Sequence, residues 1–238
     1  MSRQSRFSSQ YVVEGFLIVV SILVAFAIDA WWEERGARTE ERRVLTALRA
    51  EFQENTERLP EYIAKSDFAA TEAAKLIHDI QNAAEGSRIV ATPEQLMAFT
   101  VFGSFDPARG AFDAMLQSGE LKYIGNQALR GRLVRWPTLI ADAVVNDFFL
   151  RNVAGPRVFD FLSNRVDLGL SDITVECKTQ NSPETCPSAE IELAATAELS
   201  GLLSHIRGWS AESAKELAVV RTEALELIRL LDEELGGR

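Results

Sequence analysis

An apolar stretch near the N-terminus places the strongest limit on how this chain can fold. Residues 11–32 are predominantly apolar, and the central part, residues 16–28, contains no charged side chain. As a helix, residues 11–32 are about 33 Å long, which is enough to cross a hydrocarbon core of about 30 Å. We therefore predict a transmembrane helix over residues 11–32, preceded by a short tail of residues 1–10.

A cleaved signal peptide is the alternative, because Arg3 and Arg6 precede the apolar stretch. Two features favour a retained anchor. The small-residue pattern expected at a cleavage site is weak here, and Trp31 and Trp32 are typical of the aromatic belt at a membrane interface.

The predicted span contains polar residues that a simple tether does not need. Glu14 and Asp29 each lie about 11 Å from its midpoint, and Ser21 and Ala25 share the helical face of Asp29. The carboxylates either extend to the nearby interface, which is the more common case, or hydrogen-bond to a partner helix. Small residues four apart let helices approach closely, so Glu14, Ser21, Ala25 and Asp29 are the candidate contacts within the membrane.

Charge and cysteines bear on partners and compartment. Residues 44–238 carry the whole net charge of -10, which argues against nucleic acid as a partner because phosphate contacts need Lys and Arg. Arginines flank the span on both sides and leave its orientation ambiguous. Cys177 and Cys186 lie in a polar loop at residues 173–188, where they form either a disulfide or two unpaired thiols. A disulfide would place the soluble domain in the periplasm, which we favour.

Apolar residues recur at helical spacing along almost all of the remaining chain, which predicts an all-α fold. We predict that the membrane helix continues as a stalk over residues 33–59, and that residues 60–238 form an antiparallel helical bundle. Pro60 should kink the chain or begin a new helix. The stripe on the stalk includes Asn55, which is either a register-setting polar group or a tolerated one.

Local signals predict the later helix boundaries. Helices should begin at Thr92-Pro93, Asp106-Pro107 and Asn126, and end at Ser118-Gly119 and Gly155-Pro156. Within the helix that Asn126 opens, one face is expected to be buried and the helix to kink at Pro137. That face consists of Leu129, Leu133, Trp136, Ile140, Val144 and Phe148. Two further helices, one with a stripe from Ile191 to Ile206 and one from Leu217 to Leu231, should close the chain. The one plausible extended stretch is residues 173–177.

No catalytic signature is found in the sequence. It has no nucleophile elbow, phosphate-binding loop, dinucleotide fingerprint or zinc-protease motif, and His78 and His205 lie far apart. No pair of carboxylates stands in an apolar sequence setting that would raise a pKa. We therefore expect no enzymatic activity, no cofactor and no metal site, although a site assembled from several helices would leave no such signature.

Aromatic and basic residues are interleaved over residues 102–136, the segment best suited to recognition. It is either a groove for an anionic ligand or partner helix, or a cap on the helical core whose arginines are solvated or paired. The candidate residues for this face are Arg109, Lys122, Tyr123, Arg130 and Trp136.

Three segments together resemble a family of uncharacterised bacterial membrane proteins. They read EGFLIVVSILVAFAIDAWWEER, LTALRAEFQENTERL and SGELKYIGNQALRGRL, and they cover about a quarter of the chain. The resemblance implies one N-terminal span in the bacterial inner membrane and a helical domain of unknown function, with no activity or functional residue to carry over. Family members tend to have a basic N-terminal tail, which implies a periplasmic domain.

These observations favour an interaction or sensory module that is anchored in the bilayer and meets a protein partner or a second copy of itself. A structural accessory subunit, packed into a larger membrane complex through its span, is the second hypothesis. An enzyme with an unfamiliar site is the third.

Overall fold

The computed structural model describes the backbone of residues 5–168 and 190–236, and the side chains of residues 13–168 and 190–236. The described chain is nearly all helical, which confirms the all-α prediction. Its elements, in chain order, are α1 (Ser5–Asn82), β1 (Arg88–Ala91), α2 (Pro93–Thr100), α3 (Gly110–Ser118), a 3-10 turn (Glu120–Tyr123), α4 (Gln127–Phe149), a π-helical turn (Leu150–Ala154), α5 (Gly155–Ser163), β2 (Ile191–Ala194) and α6 (Ala197–Gly236).

Helix α1 is one continuous helix of 78 residues, so the predicted membrane helix does continue into the domain. Pro60 lies inside α1, so of the two predicted outcomes the start of a new helix was wrong, and a kink stays a prediction. Pro60 is exposed, so water can satisfy the backbone carbonyl that loses its partner there. The helix ends at Asn82, four residues before Gly86, whose φ of 74° favours glycine.

Two parts of α1 differ completely in burial. Every side chain from Val13 to Arg35 is exposed, whereas Leu45, Leu48 and Phe52 are at most 1% exposed. Among the described helices, α1 is the one with the length and composition to cross a membrane: its most apolar window has a mean hydropathy of 2.3 and no buried residue.

Side-chain and backbone capping explains where the short helices begin. Thr92 and Gln95 form the predicted capping box at the start of α2, with Thr92 Oγ1 accepting from the Gln95 backbone N–H at 3.2 Å. Asn126 caps α4 as predicted, by accepting from the backbone N–H of Ala128 at 2.9 Å. Gly119, with a φ of 72°, closes α3.

The prediction that Asp106-Pro107 begins a helix was wrong, because α3 begins at Gly110. The backbone of Ala108 is held by the buried side chain of Asn55: Nδ2 donates to the Ala108 carbonyl at 2.8 Å, and Oδ1 accepts from the Ala108 N–H at 2.8 Å. Asn55 thus holds the backbone of Ala108 against α1, two residues before α3 begins.

Gly155-Pro156 was predicted to break the helix, but the helical path continues through these residues. The π-helical turn connects α4 to α5, and Pro156 falls in the first turn of α5, where a backbone donor is not needed. Pro137 lies inside α4, and beyond it the predicted buried face was wrong. Ala143, Asn146, Asp147 and Leu150 are buried, while Phe148 is 59% exposed and Val144 only half-buried.

A two-stranded antiparallel sheet joins two segments that are remote in sequence. β1 pairs with β2, with Ile89 opposite Leu193 and Ala91 opposite Ile191. The helical stripe predicted to start at Ile191 was therefore wrong, and the two expected C-terminal helices are the single helix α6. Residues 173–177, the expected extended stretch, lie outside the described residues.

Antiparallel packing of α1 against α6 forms the centre of the fold. Arg49 pairs with Asp232, and Ser66 lies against Ser213, so the two helices run in opposite directions along the contact. α4 packs on α6, where Arg132 Nη1 lies 2.6 Å from Glu223 Oε2.

Candidate functional site

A layer of polar side chains separates two apolar clusters of the core. One cluster lies nearer to the exposed apolar stretch of α1 and includes Phe52 and Leu59, and the other lies nearer to the C-terminal end of α1 and includes Leu76. The polar layer between them consists of Ser66 of α1, Asp147 of α4, and Ser210 and Ser213 of α6. The last three are at most 3% exposed. Buried polar groups are tolerated only when satisfied, so this layer is a candidate site.

Asp147 is the centre of the layer. Its Oδ1 accepts from Ser213 Oγ at 2.8 Å, and its Oδ2 accepts from the backbone N–H of Phe105 at 3.3 Å. Ser213 Oγ in turn lies 3.4 Å from Ser66 Oγ. Burial raises the pKa of Asp147 above that of an ordinary aspartate, although the hydrogen bonds from Ser213 and Phe105 act in the opposite direction.

The polar layer borders a cavity of about 450 Å³, a volume in the range of small-molecule sites. Asp147 and Ser210 form its buried side, and Phe68 and Val101, which are 45% and 64% exposed, lie at the solvent side. Its walls are mostly apolar or aromatic and include Tyr62, Ala69, Met97, Ala98, Phe102 and Leu150.

Two features of the cavity wall are unusual. The hydroxyl of Ser210 is fully buried, and no described residue forms a hydrogen bond with it. Leu150, another wall residue, begins the π-helical turn, a feature that is rare in proteins and often found at functional sites. A cavity bordered by an unsatisfied hydroxyl is suited to a ligand that supplies the missing hydrogen bond.

Glu51 is a second buried carboxylate, but it serves to hold an adjacent helix. Its carboxylate oxygens accept from the backbone N–H groups of Ala111 and Phe112, at the start of α3, the latter at 3.1 Å. Burial raises the pKa of Glu51, and these two backbone hydrogen bonds oppose that shift. With its capacity used by backbone donors of α3, Glu51 is satisfied by the fold itself.

The four candidate membrane contacts lie on an exposed part of α1. At about 100° per residue, the four positions lie within an arc of about 80° around the helix axis, so they share one face. They are Glu14, Ser21, Ala25 and Asp29. All four are exposed, and Ser21 Oγ donates to the backbone carbonyl of Leu17 at 2.8 Å. Ser21 thereby donates within its own helix, and the exposed carboxylates of Glu14 and Asp29 lie on the same face.

The predicted aromatic and basic face is not assembled as one surface. Trp136 lies in the core, 3% exposed, where its ring packs edge-on against Phe52 at 4.9 Å, so it cannot be part of a surface. Lys122 and Tyr123 line a groove of about 1480 Å³ beside residues 34–50 of α1.

The other two candidates of that face do not line the groove. Arg109 pairs with Asp113 of α3, with Nε 2.7 Å from Oδ2. Arg130 is half-buried on α4.

The histidine, cysteine and acidic side chains that the structure describes do not form a candidate metal site. Across residues 5–168 and 190–236, no group of three His, Cys, Asp or Glu side chains is placed to hold a metal ion. His78 Nε2 lies 3.1 Å from Asn82 Nδ2 on the same helix. Cys177 and Cys186 lie outside the described residues, so their pairing stays a prediction.

Sequence reasoning did not find Asp147, Ser66, Ser210 or Ser213, and it predicted no carboxylate with a raised pKa. A signal was present in α6. Ser210 and Ser213 continue the three-and-four spacing of the buried residues that precede and follow them, Ile206 and Leu217. Polar residues that interrupt an apolar stripe in register are candidates for a buried polar layer.

Comparison of the chain with protein-family models, with curated proteins and with solved structures found no match. Function is therefore inferred from the geometry of the described residues.

Proposed function

We propose that the protein is a membrane-anchored interaction or sensory module without catalytic activity, built as a helical bundle on a single span. One observation carries this proposal: the exposed apolar stretch and a central part of the buried core belong to the same continuous helix, α1. A partner that binds the membrane part and a ligand that binds the domain would therefore act on the same helix.

The exposed stretch supports the anchor. Phe16, Leu23 and Phe26 are each more than 60% exposed, which would be unfavourable in water but favourable in lipid. Trp31 and Trp32 follow this stretch at the position expected for an interface belt. Arg35 stacks over Trp31, with its Cζ 5.4 Å from the ring centroid.

We infer a bacterial inner membrane with the soluble domain in the periplasm, in line with the resemblance and with the cysteine loop. A C-terminal alkaline phosphatase fusion is then active, and a C-terminal fluorescent-protein fusion is dark. The opposite pair of results would place the domain in the cytoplasm and would also remove the argument for a disulfide.

The partner face of the span is the one that carries Glu14, Ser21, Ala25 and Asp29. A carboxylate near the hydrocarbon edge is stabilised by a hydrogen-bond donor, and a facing helix can supply one where Ser21 and Ala25 permit close approach. The same face also supports the alternative hypothesis, an accessory subunit that packs into a larger membrane complex through its span.

Crosslinking in native membranes tests whether the face is used. The double variant Asp29→Leu with Ser21→Leu should insert normally but lose crosslinks to its partner or to a second copy. The matched control is Ala27→Leu with Ala30→Leu, on the opposite side of the helix, which should crosslink as the parent does. If the Asp29 variant also crosslinks like the parent, the span is only an anchor.

A second variant separates the module from the accessory subunit. Insertion of two alanines after Gly36 rotates the span by about 200° relative to the domain while preserving the helix. Gly36 is exposed, and a Cβ added there would meet no atom of a neighbouring element within 4 Å, so the insertion meets no packing. A module that contacts its partner with both span and domain should lose association, whereas a subunit held by its span alone should retain it.

A further inference from the structure

We propose that the cavity beside Asp147 and Ser210 is a binding site for a small, neutral, largely apolar molecule that carries a hydroxyl group. The proposal is separate from the membrane contacts of the span, and each can fail without the other.

The shape and the wall of the cavity select an apolar body. Its volume of about 450 Å³ suits a molecule of one or two rings, and Met97, Phe102 and Leu150 provide an apolar lining. Phe68 and Val101 leave apolar surface exposed at the solvent side, where a ligand would cover it.

The buried polar groups select a hydroxyl. Ser210 Oγ has no hydrogen-bond partner among the described residues, and it can donate or accept. Asp147 accepts from the side chains of Ser213 and Ser104 and from the backbone N–H of Phe105, so one of the four acceptor sites of its carboxylate is left for a further donor. A hydroxyl both donates and accepts, so one such group can satisfy Ser210 and Asp147 together.

The charges of the wall argue for a neutral ligand. Asp147 and Glu94 of the wall disfavour an anion. A cation is disfavoured by Lys65 of the wall and by Arg151, whose positive charge acts on Asp147. Burial raises the pKa of Asp147, so ionisation of this carboxyl is less favourable than in water.

Position along α1 determines how the ligand arrives. Ser66 is separated from Trp32 by 34 residues of continuous helix, or about 50 Å. The cavity is therefore well away from the predicted bilayer, and the ligand reaches it through the aqueous phase and not by lateral diffusion of a membrane lipid.

A matched set of four naphthalene probes tests the proposal on the full-length protein in detergent micelles. They are 2-naphthalenemethanol, its amine (2-naphthalenemethylamine), its carboxylate (2-naphthoate) and its apolar counterpart (2-methylnaphthalene). Binding is measured by ligand-observed NMR and by the rise in melting temperature. We expect the alcohol to bind most tightly, because it alone is neutral and hydrogen-bonding.

Three variants identify the site. Ser210→Ala should weaken binding of the alcohol about 2- to 10-fold, the effect of one hydrogen bond, and leave binding of 2-methylnaphthalene unchanged. Ala98→Phe should fill the cavity and abolish binding of both. Ser204→Ala, an exposed serine of the same helix, is the control and should bind like the parent. Because all variants are measured in the same micelles, partitioning of the probes into detergent cancels.

Ser210→Ala also has a readout without ligand. Removing an unsatisfied buried hydroxyl should leave the melting temperature unchanged or raise it, which shows that weaker binding does not come from unfolding. The proposal is overturned if none of the four probes binds, if the amine or the carboxylate binds more tightly than the alcohol, or if Ser210→Ala and Ala98→Phe bind the alcohol as the parent does.

Discussion

Gly155 allows a direct test of the packing around the π-helical turn. A Cβ at this position would lie 2.8 Å from the backbone carbonyl oxygen of Leu150 and 2.8 Å from Cε2 of Phe102. The backbone of Gly155 has φ -56° and ψ -52°, which alanine adopts easily. The steric contact alone therefore decides the effect of Gly155→Ala.

The expected magnitude is the difference between two terms. Overpacking of a well-packed site costs about 1–3 kcal/mol, and replacing a helical glycine with alanine returns about 0.5–1 kcal/mol. The Phe102 ring can shift, but the Leu150 carbonyl is part of the backbone and cannot. We expect a net loss of about 1–2 kcal/mol, which lowers the melting temperature by about 2–8 °C in a chain of this size.

Thermal unfolding of the full-length protein, followed by circular dichroism in detergent, measures this effect. Gly131→Ala is the matched control, because Gly131 is also helical but has no atom within 4 Å of the added Cβ. The control should be stabilised by about 0.5–1 kcal/mol through helix propensity alone. If Gly155→Ala melts at or above the temperature of Gly131→Ala, the described packing of Phe102 and Leu150 against Gly155 is incorrect.

The buried polar groups and the cysteines allow three further predictions. Asn55→Ala should destabilise the protein by about 2–4 kcal/mol in a denaturation assay, because the N–H and C=O of Ala108 both lose a buried partner. The control Gln53→Ala, at an exposed neighbouring position, should change stability by less than about 0.5 kcal/mol. Equal effects of the two variants would contradict the contact between Asn55 and Ala108. Burial raises the folded-state pKa of Asp147 above its ordinary value of 3.8, so the ionised form of this carboxyl destabilises the folded protein. The unfolding free energy of the wild type, relative to that of Asp147→Asn, should therefore increase as the pH falls through the folded-state pKa towards 3.8. A difference between the two unfolding free energies that does not change with pH would refute this. Replacing both Cys177 and Cys186 with Ser should remove at most about 2–3 kcal/mol and leave the helical domain folded, and thiol titration of protein purified under non-reducing conditions should find no free thiol if the two are bridged.

Helix boundaries set by local chemistry were predictable from the sequence. Thr92, Asn126 and Gly119 act within three residues of their own positions, and each marks the helix end that its residue type indicated. The continuity of α1 from the apolar stretch into the core was also predictable, because residues 33–58 contain no proline and their single glycine, Gly36, is followed at once by further helix-forming residues.

The features that were missed depend on contacts between distant parts of the chain. β1 and β2 are four residues each, too short for an alternating pattern to be recognised, and they are defined by pairing across about 100 residues. The start of α3 depends on Asn55, more than 50 residues earlier, which binds the backbone of Ala108.

The candidate cavity was missed for a related reason. The buried face of α4 was predicted from its apolar residues alone, through Val144 and Phe148. Asp147 was left out of it, although it stands five helical turns after Leu129 on the same face. The shift beyond Pro137, and the meeting of Asp147 with Ser213 of α6, are properties of helix packing and have no signature in one segment.

The central claim is that one helix passes from the membrane into the core of the domain, and a cysteine accessibility scan in native membranes tests it most directly. Single cysteines at successive positions from 13 to 59, in a background with Cys177 and Cys186 replaced by Ser, are reacted with a water-soluble maleimide. We predict protection throughout residues 16–28, reaction on every side over residues 33–40, and then protection at Leu45, Leu48 and Phe52 with reaction on the opposite face. Uniform reaction over residues 16–28, or a mature protein that lacks these residues, would contradict the account.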